Sequence, residues 1–332
     1  MVYNREMSQN PVIEVKNLSK NFSVPLKAEG FGASIKSLFN RQYKTVKAVD
    51  KISFEINEGE MIGFLGPNGA GKTTTLKMLT GILYPSLGEV SVLGYVPTER
   101  KVAFQKQISL VLGQKNQLWW DLPPTDGFLM NKEIYDIPID EYRKTLNELV
   151  ELLDISEVLS TPVRKMSLGQ RMKCELIASL LHRPKLLFLD EPTIGLDVGT
   201  QKRVREFLRK INREFNTTII LTSHNMEDVE AVCERIIMVD HGNKVYDGAI
   251  SDLITKYATE KYLSLDFDDD VPKEQLEKFG RVVTYEGWKA VIAVPRKDHA
   301  KRATEILTAF EVDNLDIQEI TLEDIILKYF TK

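Results

Sequence analysis

Gly66-Pro67-Asn68-Gly69-Ala70-Gly71-Lys72-Thr73 fits the pattern G-x-x-x-x-G-K-[ST] of a phosphate-binding loop. The apolar run Met61–Leu65 before it predicts a short buried strand, and residues 73–83 carry apolar side chains at helical spacing. A strand before the glycines and a helix after them is the context that this motif requires. The stretch therefore predicts a nucleotide-binding site in an α/β fold.

Each residue type in this loop has a physical use at a phosphate. Gly66, Gly69 and Gly71, with Pro67, Asn68 and Ala70 between them, let backbone N–H groups close on phosphate oxygens, and the helix N-terminus adds a favourable dipole. Lys72 would neutralise the β- and γ-phosphate charge, Thr73 would ligate Mg²⁺, and Thr74 follows in the same helical turn.

Composition and charge exclude several other classes of protein. The 332 residues contain 44 Lys and Arg against 48 Asp and Glu, a net charge of −4, and so give no indication of nucleic-acid binding. No apolar run approaches the roughly 18 residues of a membrane span, and the first residues lack the apolar core of a signal peptide. The two cysteines, Cys174 and Cys233, are expected to be reduced core thiols of a cytoplasmic protein.

Continuous apolar runs after the loop predict parallel strands that are covered on both faces. Residues 23–45 form a basic insertion between the first two predicted strands, with a short amphipathic helix at 32–41. This helix either lies on a membrane or a membrane partner, or packs on its own domain. Residues from about 115 to 180 are expected to form a helical subdomain inserted in the α/β core. The predicted parallel strands are 186–189, 218–221 and 236–239, and Ile108–Leu112 is predicted as a further strand.

The composition changes after residue 255, and the pattern over residues 262–320 becomes strand, helix, strand, strand, helix, strand. That order predicts a small α+β ferredoxin-like unit, followed by a terminal helix at Leu322–Phe330. The sequence therefore predicts two domains, residues 1–255 and 256–332.

Three further stretches carry residues suited to phosphate chemistry. Residues 185–189 form an apolar strand ending in Asp190, which can hold Mg²⁺, and Glu191, which can act on the attacking water; alternatively, the strand end simply meets solvent. Ser167-Leu168-Gly169-Gln170 opens a helix and predicts a second anion site, which is useful if two copies cover each other's nucleotide. His224 follows another strand and could hydrogen-bond a γ-phosphate.

Taken together over residues 12–250, these stretches resemble the nucleotide-binding subunit of an ABC transporter. Gly66 to Thr73 is similar to the Walker A motif, Gln114 to the Q-loop, residues 167–170 to the signature motif, residues 186–190 with Glu191 to Walker B, residues 194–197 to the D-loop and His224 to the switch histidine. Leu168 departs from the family pattern, which has a glycine there.

The resemblance implies a P-loop ATPase that binds ATP and Mg²⁺ as a homodimer and powers a separate integral membrane permease. It implies that Thr73, Gln114 and Asp190 hold the metal and that Glu191, His224 and Gln114 act in hydrolysis. Ser167, Gly169 and Gln170 would contact nucleotide across the dimer. The permease contact is expected near Trp119 and Trp120, at the cytoplasmic face of the cell membrane.

Three questions stay open at this point. The aromatic residue that stacks on adenine in this family is either Phe22 or Tyr43. The chain is most similar to daunorubicin-resistance-type exporters, whereas the insertion is more similar to polysaccharide and teichoic-acid exporters, so the cargo is a drug, a lipid or a polymer. The alternative function is a soluble ABC ATPase acting on ribosomes or DNA, against which the single ATPase domain and acidic balance argue.

Overall fold

The computed structural model describes residues 11–25, 43–113, 117–257 and 259–330. It divides into two compact units after Asp247, and each is described by itself. The boundary lies eight residues before the one that the sequence predicts. No helix in the described ranges is long and apolar enough to cross a membrane.

Nine strands and seven α-helices begin within the described residues of the first unit. The strands are β1 (Pro11–Pro25), β2 (Tyr43–Asn57), β3 (Met61–Leu65), β4 (Leu87–Val92), β5 (Ile108–Leu112), β6 (Leu186–Asp190), β7 (Thr218–Thr222), β8 (Arg235–Asp240) and β9 (Asn243–Ala249). The helices are α1 (Lys72–Leu79), α2 (Val102–Gln105), α3 (Pro124–Ile134), α4 (Ile139–Leu153), α5 (Leu168–Leu180), α6 (Val198–Phe215) and α7 (Met226–Val232).

A six-stranded sheet in the order β5-β6-β7-β3-β8-β9 forms the centre of this unit. Strands β5, β6, β7, β3 and β8 pair in parallel, and β3 and β7 are buried at every position. This explains why their sequences are apolar without alternation. Because all five strands run in the same direction, the loop after β3 and the acids at the end of β6 lie at the same edge of the sheet. The predicted α/β fold with a parallel sheet is confirmed.

A second sheet, in the antiparallel order β2-β1-β4, carries the remaining strands. The long hairpin of β1 and β2 is paired as far as Pro25 with Tyr43. Residues 23–25 and 43–45, which the sequence assigns to the insertion, therefore belong to the paired strands. The helix predicted at 32–41 lies outside the described residues.

The helix after the phosphate loop is shorter than predicted. It ends at Leu79 instead of continuing to residue 83, and Ile82, expected on its apolar face, is 53% exposed. Gly81 causes the stop: its φ of 75° is left-handed, and a Cβ there would lie 2.1 Å from the Pro97 carbonyl oxygen. Residues 124–180 contain helices α3, α4 and α5, in agreement with the predicted helical character of this segment.

The second unit contains a four-stranded antiparallel sheet in the order β11-β12-β10-β13. With one helix after the first strand and one after the third, this is the predicted ferredoxin-like arrangement. Its strands are β10 (Glu260–Phe267), β11 (Arg281–Tyr285), β12 (Lys289–Pro295) and β13 (Val312–Glu319), and its helices are α8 (Ile250–Tyr257), α9 (Lys273–Leu276), α10 (His299–Ala309) and α11 (Leu322–Phe330).

Candidate functional site

The loop between β3 and α1 is a tight backbone turn that only glycine allows at its key positions. Gly69 and Gly71 have φ values of 81° and 104°, in the left-handed region. A Cβ at Gly71 would lie 2.3 Å from the Ala48 carbonyl oxygen, and one at Gly66 would lie 2.2 Å from the Val239 carbonyl oxygen. The loop is therefore held against two neighbouring strands, with Lys72, Thr73 and Thr74 in the first turn of α1.

Lys72 lies back across this loop. Its Nζ donates to the carbonyl oxygens of Gly66 at 2.7 Å and Pro67 at 3.2 Å, and the residue is 6% exposed. Burial lowers the pKa of Lys72, and the Glu191 and Asp190 carboxylates partly offset this effect. The ammonium group thus lies at the centre of the loop, within the field of both acids.

Asp190, at the end of β6, is held by two hydroxyl groups. Thr73 Oγ1 donates to Asp190 Oδ2 at 2.8 Å, and Thr222 Oγ1 donates to Asp190 Oδ1 at 2.7 Å. Thr222 was not among the residues that the sequence predicts for the site. Its signal is its position at the end of β7, in register with Asp190.

Glu191 and His224 lie in direct contact, with His224 Nε2 2.7 Å from Glu191 Oε1. Glu191 has a left-handed φ of 56°, which is unusual for a residue with a side chain. Its N–H is fixed by the oxygens of Thr222, carbonyl at 3.0 Å and hydroxyl at 3.1 Å. The backbone therefore holds the carboxylate beside the imidazole and next to the phosphate loop.

Gly113 is a second residue of this edge that the sequence did not single out. Its N–H donates to the Asp190 carbonyl oxygen at 2.8 Å, and a Cβ there would lie 2.2 Å from the Glu191 carbonyl oxygen. The chain can pass this close only because residue 113 has no side chain. Gln114, the next residue, lies outside the described residues.

Ser167 caps α5 in a reciprocal capping box. The Ser167 hydroxyl accepts from the Gln170 N–H at 3.2 Å, and Gln170 Oε1 accepts from the Ser167 N–H at 2.9 Å. Gly169 is buried, and a Cβ there would lie 3.0 Å from Thr200 Cγ2. Ser167, Gly169 and Gln170 thus form one rigid helix start.

Leu168, the departure from the family pattern, is exposed at the same helix start and close to Gly195. A Cβ at Gly195 would lie 3.0 Å from Leu168 Cδ2. Asp197 follows as the N-cap of α6, where hydrogen bonds from the Thr200 hydroxyl and N–H lower the pKa of its carboxyl. The signature and D-loop segments are therefore neighbours in one chain.

The two candidate adenine-stacking residues both lie on the β1–β2 hairpin. Phe22 is 39% exposed and pairs with Val46, whereas Tyr43 is 57% exposed and pairs with Pro25. Ala48, whose carbonyl touches the phosphate loop, is two residues from Val46 and five from Tyr43. Phe22 is thus the nearer of the two in register.

A separate groove of about 560 Å³ lies between β5 and the helices α3 and α5. It is called the apolar groove below, and its lining includes Ile82, Leu110, Leu118, Trp119, Met130 and Ile134. Trp119 is 59% exposed. Trp120 is engaged differently, since the Arg171 guanidinium lies 5.1 Å from its ring centroid. Of the two predicted contact residues, Trp119 is the one that lines the groove.

Comparison with known proteins matches a segment of each unit to a domain model of ABC transporters. Residues 49–194 match the ABC transporter family, and residues 259–318 match the C-terminal domain of EvrA-like ABC transporters. The ABC transporter ATP-binding protein NatA of Bacillus subtilis (strain 168) is 32% identical over 229 residues, which cover 69% of this chain and 92% of NatA. The linearmycin resistance ATP-binding protein LnrL of the same strain is 30% identical over 296 residues, covering 86% and 94%.

A solved structure has the same fold as the first unit. The dimeric post-hydrolysis state of the ATP-binding cassette MJ0796, bound to ADP and Pi, has a TM-score of 0.60 at 21% identity, covering 72% of this chain and 98% of that chain. Because this chain covers more than nine tenths of relatives that are at least 30% identical to it, it belongs to the ATP-binding proteins of ABC transporters, a family of ATPases.

Proposed function

We propose that this chain is the ATP-hydrolysing subunit of an exporter, in which two copies close around two ATP molecules and drive a separate membrane permease. The observation that carries the proposal is the contact of Glu191 with His224 beside Lys72 and Asp190. Export is supported by the relative that is named for linearmycin resistance.

In this proposal the residues of the sheet edge divide the work. The loop amides and Lys72 bind the β- and γ-phosphates, because a glycine-rich loop at a helix N-terminus offers N–H donors and Lys72 adds a positive charge. Glu191 accepts the proton of the attacking water. The water oxygen bonds to the γ-phosphorus as the bond from the γ-phosphorus to the β–γ bridging oxygen breaks, and ADP leaves with that oxygen. His224 donates to the γ-phosphate and orients Glu191. Gln114 would bind the metal and orient the water.

The site also fits a magnesium ion. In the described residues no three His, Cys, Asp or Glu side chains cluster as a metal cage. Magnesium at a nucleotide needs no such cage, because phosphates and water supply most of its ligands. Thr73 Oγ1 and Asp190 Oδ2 are 2.8 Å apart, close to the roughly 3 Å between neighbouring oxygens of an octahedral magnesium ion. Thr73 and Asp190 would hold the ion, which neutralises phosphate charge.

The dimer is supported by the helix start at Ser167. The capping box does not use the Leu168 and Gly169 N–H groups, so this helix start is suited to an anion, a second such site in one chain besides the phosphate loop. If two copies face each other, the helix start at Ser167 of each copy covers the nucleotide that is bound to the other copy. Phe22 is the residue that we expect to stack on adenine.

The permease contact is proposed at the apolar groove. Trp119, Ile134 and Ile82 are each more than half exposed there. Neighbouring exposed apolar side chains around a concave surface are typical of protein interfaces. A short helix of the permease would fill the groove, and its movement would follow closure of the dimer.

A pull-down of the tagged chain from detergent-solubilised native membranes tests this function. We expect a polytopic membrane protein to be recovered and to stimulate ATP hydrolysis. Trp119→Ala should no longer recover this protein, whereas the control Lys202→Ala, at an exposed position of α6, should still recover it. Recovery of ribosomal or DNA-associated proteins, with no membrane partner, would contradict the transport function and support the soluble alternative.

A further inference from the structure

Asp228, on α7, is a buried carboxylate between the two segments that carry Glu191 and His224. It is 1% exposed. Its Oδ2 accepts hydrogen bonds from the hydroxyls of Thr193 and Ser223, the Ser223 bond being 3.2 Å long. Thr193 is two residues after Glu191, and Ser223 is one residue before His224. One carboxylate oxygen therefore ties together the backbones on both sides of the Glu191–His224 contact.

The other oxygen of Asp228 faces a cation. Arg205 Nε lies 3.6 Å from Asp228 Oδ1, which has no hydrogen bond in the described part of the chain. Arg205 also donates to Glu227 at 3.3 Å. Arg205 thus offsets the buried negative charge, but Asp228 is not fully hydrogen-bonded. Such an arrangement contributes less to the free energy of folding than an apolar residue in the same place would. Its two hydroxyl bonds are the interactions that make the arrangement specific.

Local hydrogen bonds stiffen the loop around His224. Ser223 Oγ accepts from the Asn225 N–H at 3.0 Å while it donates to Asp228, and Asn225 Oδ1 caps α7. His224 therefore lies in a loop that is fixed at one end to the Asp228 carboxylate through Ser223 and at the other to the start of α7 through Asn225. A weaker second link joins the segments through Gln201, which contacts Leu196 O at 3.1 Å and Asn225 Nδ2 at 3.5 Å.

We infer that Asp228 is a positioning residue for ATP hydrolysis, which holds Glu191 and His224 in contact by binding Thr193 and Ser223 together. The inference rests on the roles proposed above for Glu191 and His224. Asp228 itself touches neither of these side chains in a hydrogen bond and acts through the two segments. Because a displacement of about 1 Å at reacting groups lowers turnover by as much as 100-fold, small shifts of either segment are sufficient.

The test uses Asp228→Asn and Thr193→Val in the full-length chain, with Thr193→Ser as the matched control that keeps the hydroxyl. We expect kcat for ATP hydrolysis to fall about 10- to 100-fold in the first two variants, while KM for ATP changes less than about threefold. Thr193→Ser should keep kcat within about twofold of the wild type. If Asp228→Asn does not fold, Thr193→Val against Thr193→Ser decides.

A double-mutant cycle separates positioning from a general loss of structure. In a His224→Ala background the contact that Asp228 maintains no longer exists, so Asp228→Asn should lower kcat by less than about threefold further. An equal fold-loss in both backgrounds, or wild-type kcat in both Asp228→Asn and Thr193→Val, would overturn the inference.

Glu191→Gln, measured in parallel, distinguishes this inference from the proposed function. If Glu191→Gln keeps near-normal turnover, the proposed base is wrong, and the inference about Asp228 falls with it. If Glu191→Gln is inactive while Asp228→Asn and Thr193→Val are both normal, only the positioning role is wrong.

Discussion

Two regions of the first unit differ in how far their side chains are already in contact with other groups of the chain. One is the sheet edge, with Lys72, Asp190, Glu191 and His224, and the other is the apolar groove beside Trp119. At the sheet edge the polar groups bind one another, with Thr73 and Thr222 on Asp190 and His224 on Glu191. In the groove, Trp119, Ile82 and Ile134 present apolar surface to solvent. The difference is consistent with the proposals that the edge carries out hydrolysis and that the groove binds a partner.

The largest expected effect is at the sheet edge. Glu191→Gln should lower kcat at least 100-fold, because a general base contributes about 10²- to 10⁴-fold and the amide cannot accept the proton. ATP affinity should stay within about threefold, since the loop and Lys72 are unchanged. Phosphate release and binding of a fluorescent ATP analogue measure the two quantities. Glu206→Gln, an exposed glutamate on α6, is the control; near-normal turnover in Glu191→Gln would remove Glu191 from its role.

The next largest effect compares two glycines, one in each region. Gly113→Ala should reduce kcat about tenfold or more, because its Cβ would lie 2.2 Å from the Glu191 carbonyl oxygen and must move that backbone. Gly127→Ala meets only the Leu118 Cδ2 atom at 3.0 Å, a flexible side chain, and should leave basal hydrolysis within about twofold. Steady-state ATPase assays measure both; equal losses in the two variants would show that the regions are not separable in this way.

A smaller effect is expected in the groove. Trp119→Ala should leave basal ATPase activity within about twofold but abolish stimulation by the membrane partner, because truncating a central aromatic residue costs an interface about 2 kcal/mol or more. Trp120→Ala is the comparison, since Trp120 contacts Arg171 and does not line the groove. ATPase assays with solubilised partner measure stimulation, and stimulation retained in Trp119→Ala would contradict the proposed contact.

The smallest effect concerns Glu175, on helix α5 beside the apolar groove. It lies on the helix that Ser167 begins, and its Oε1 accepts from the N–H of Gln117, a residue of the groove. Burial raises the pKa of Glu175 to about 7, opposed by the Gln117 hydrogen bond and by Arg171. The folded chain therefore keeps a proton that the unfolded chain releases, and stability falls as pH rises from about 4.5 to 7.

Glu175→Gln should remove this part of the pH dependence. The fall in Tm between pH 5 and pH 8 should be smaller in the variant by several degrees, with Glu206→Gln unchanged from the wild type. Thermal unfolding followed by circular dichroism measures it. An identical pH dependence in wild type and Glu175→Gln would mean that Glu175 is ionised in the folded chain.

The parts of the fold that the sequence predicts are those with strong local patterns. Met61–Leu65 and the runs at 186–189 and 236–239 are buried and continuously apolar, and the loop at Gly66 has a fixed spacing. The early end of α1 was not predicted, because it depends on contact between Gly81 and Pro97, sixteen residues away. Local periodicity carries no information on that contact.

The residues of the candidate site also differ in whether a local sequence pattern predicts them. Lys72 stands out because of the spacing of the phosphate-loop motif, and Asp190, Glu191 and His224 stand out because they follow apolar strands. Thr222 and Gly113 do not, since a threonine at a strand end and a glycine in a loop are ordinary until the parallel register places both against Asp190 and Glu191. Trp119 and Trp120 look equivalent in sequence and are separated only by the packing of Arg171.

The most direct test of the central claim is the mass of the Glu191→Gln variant in solution with and without ATP. If two copies share the ATP sites through Ser167, light scattering should give one chain of 37.9 kDa without nucleotide and twice that mass with ATP and magnesium. Adding Lys72→Met should abolish the change. ATP bound at one molecule per chain with the mass unchanged at 37.9 kDa would contradict the shared site.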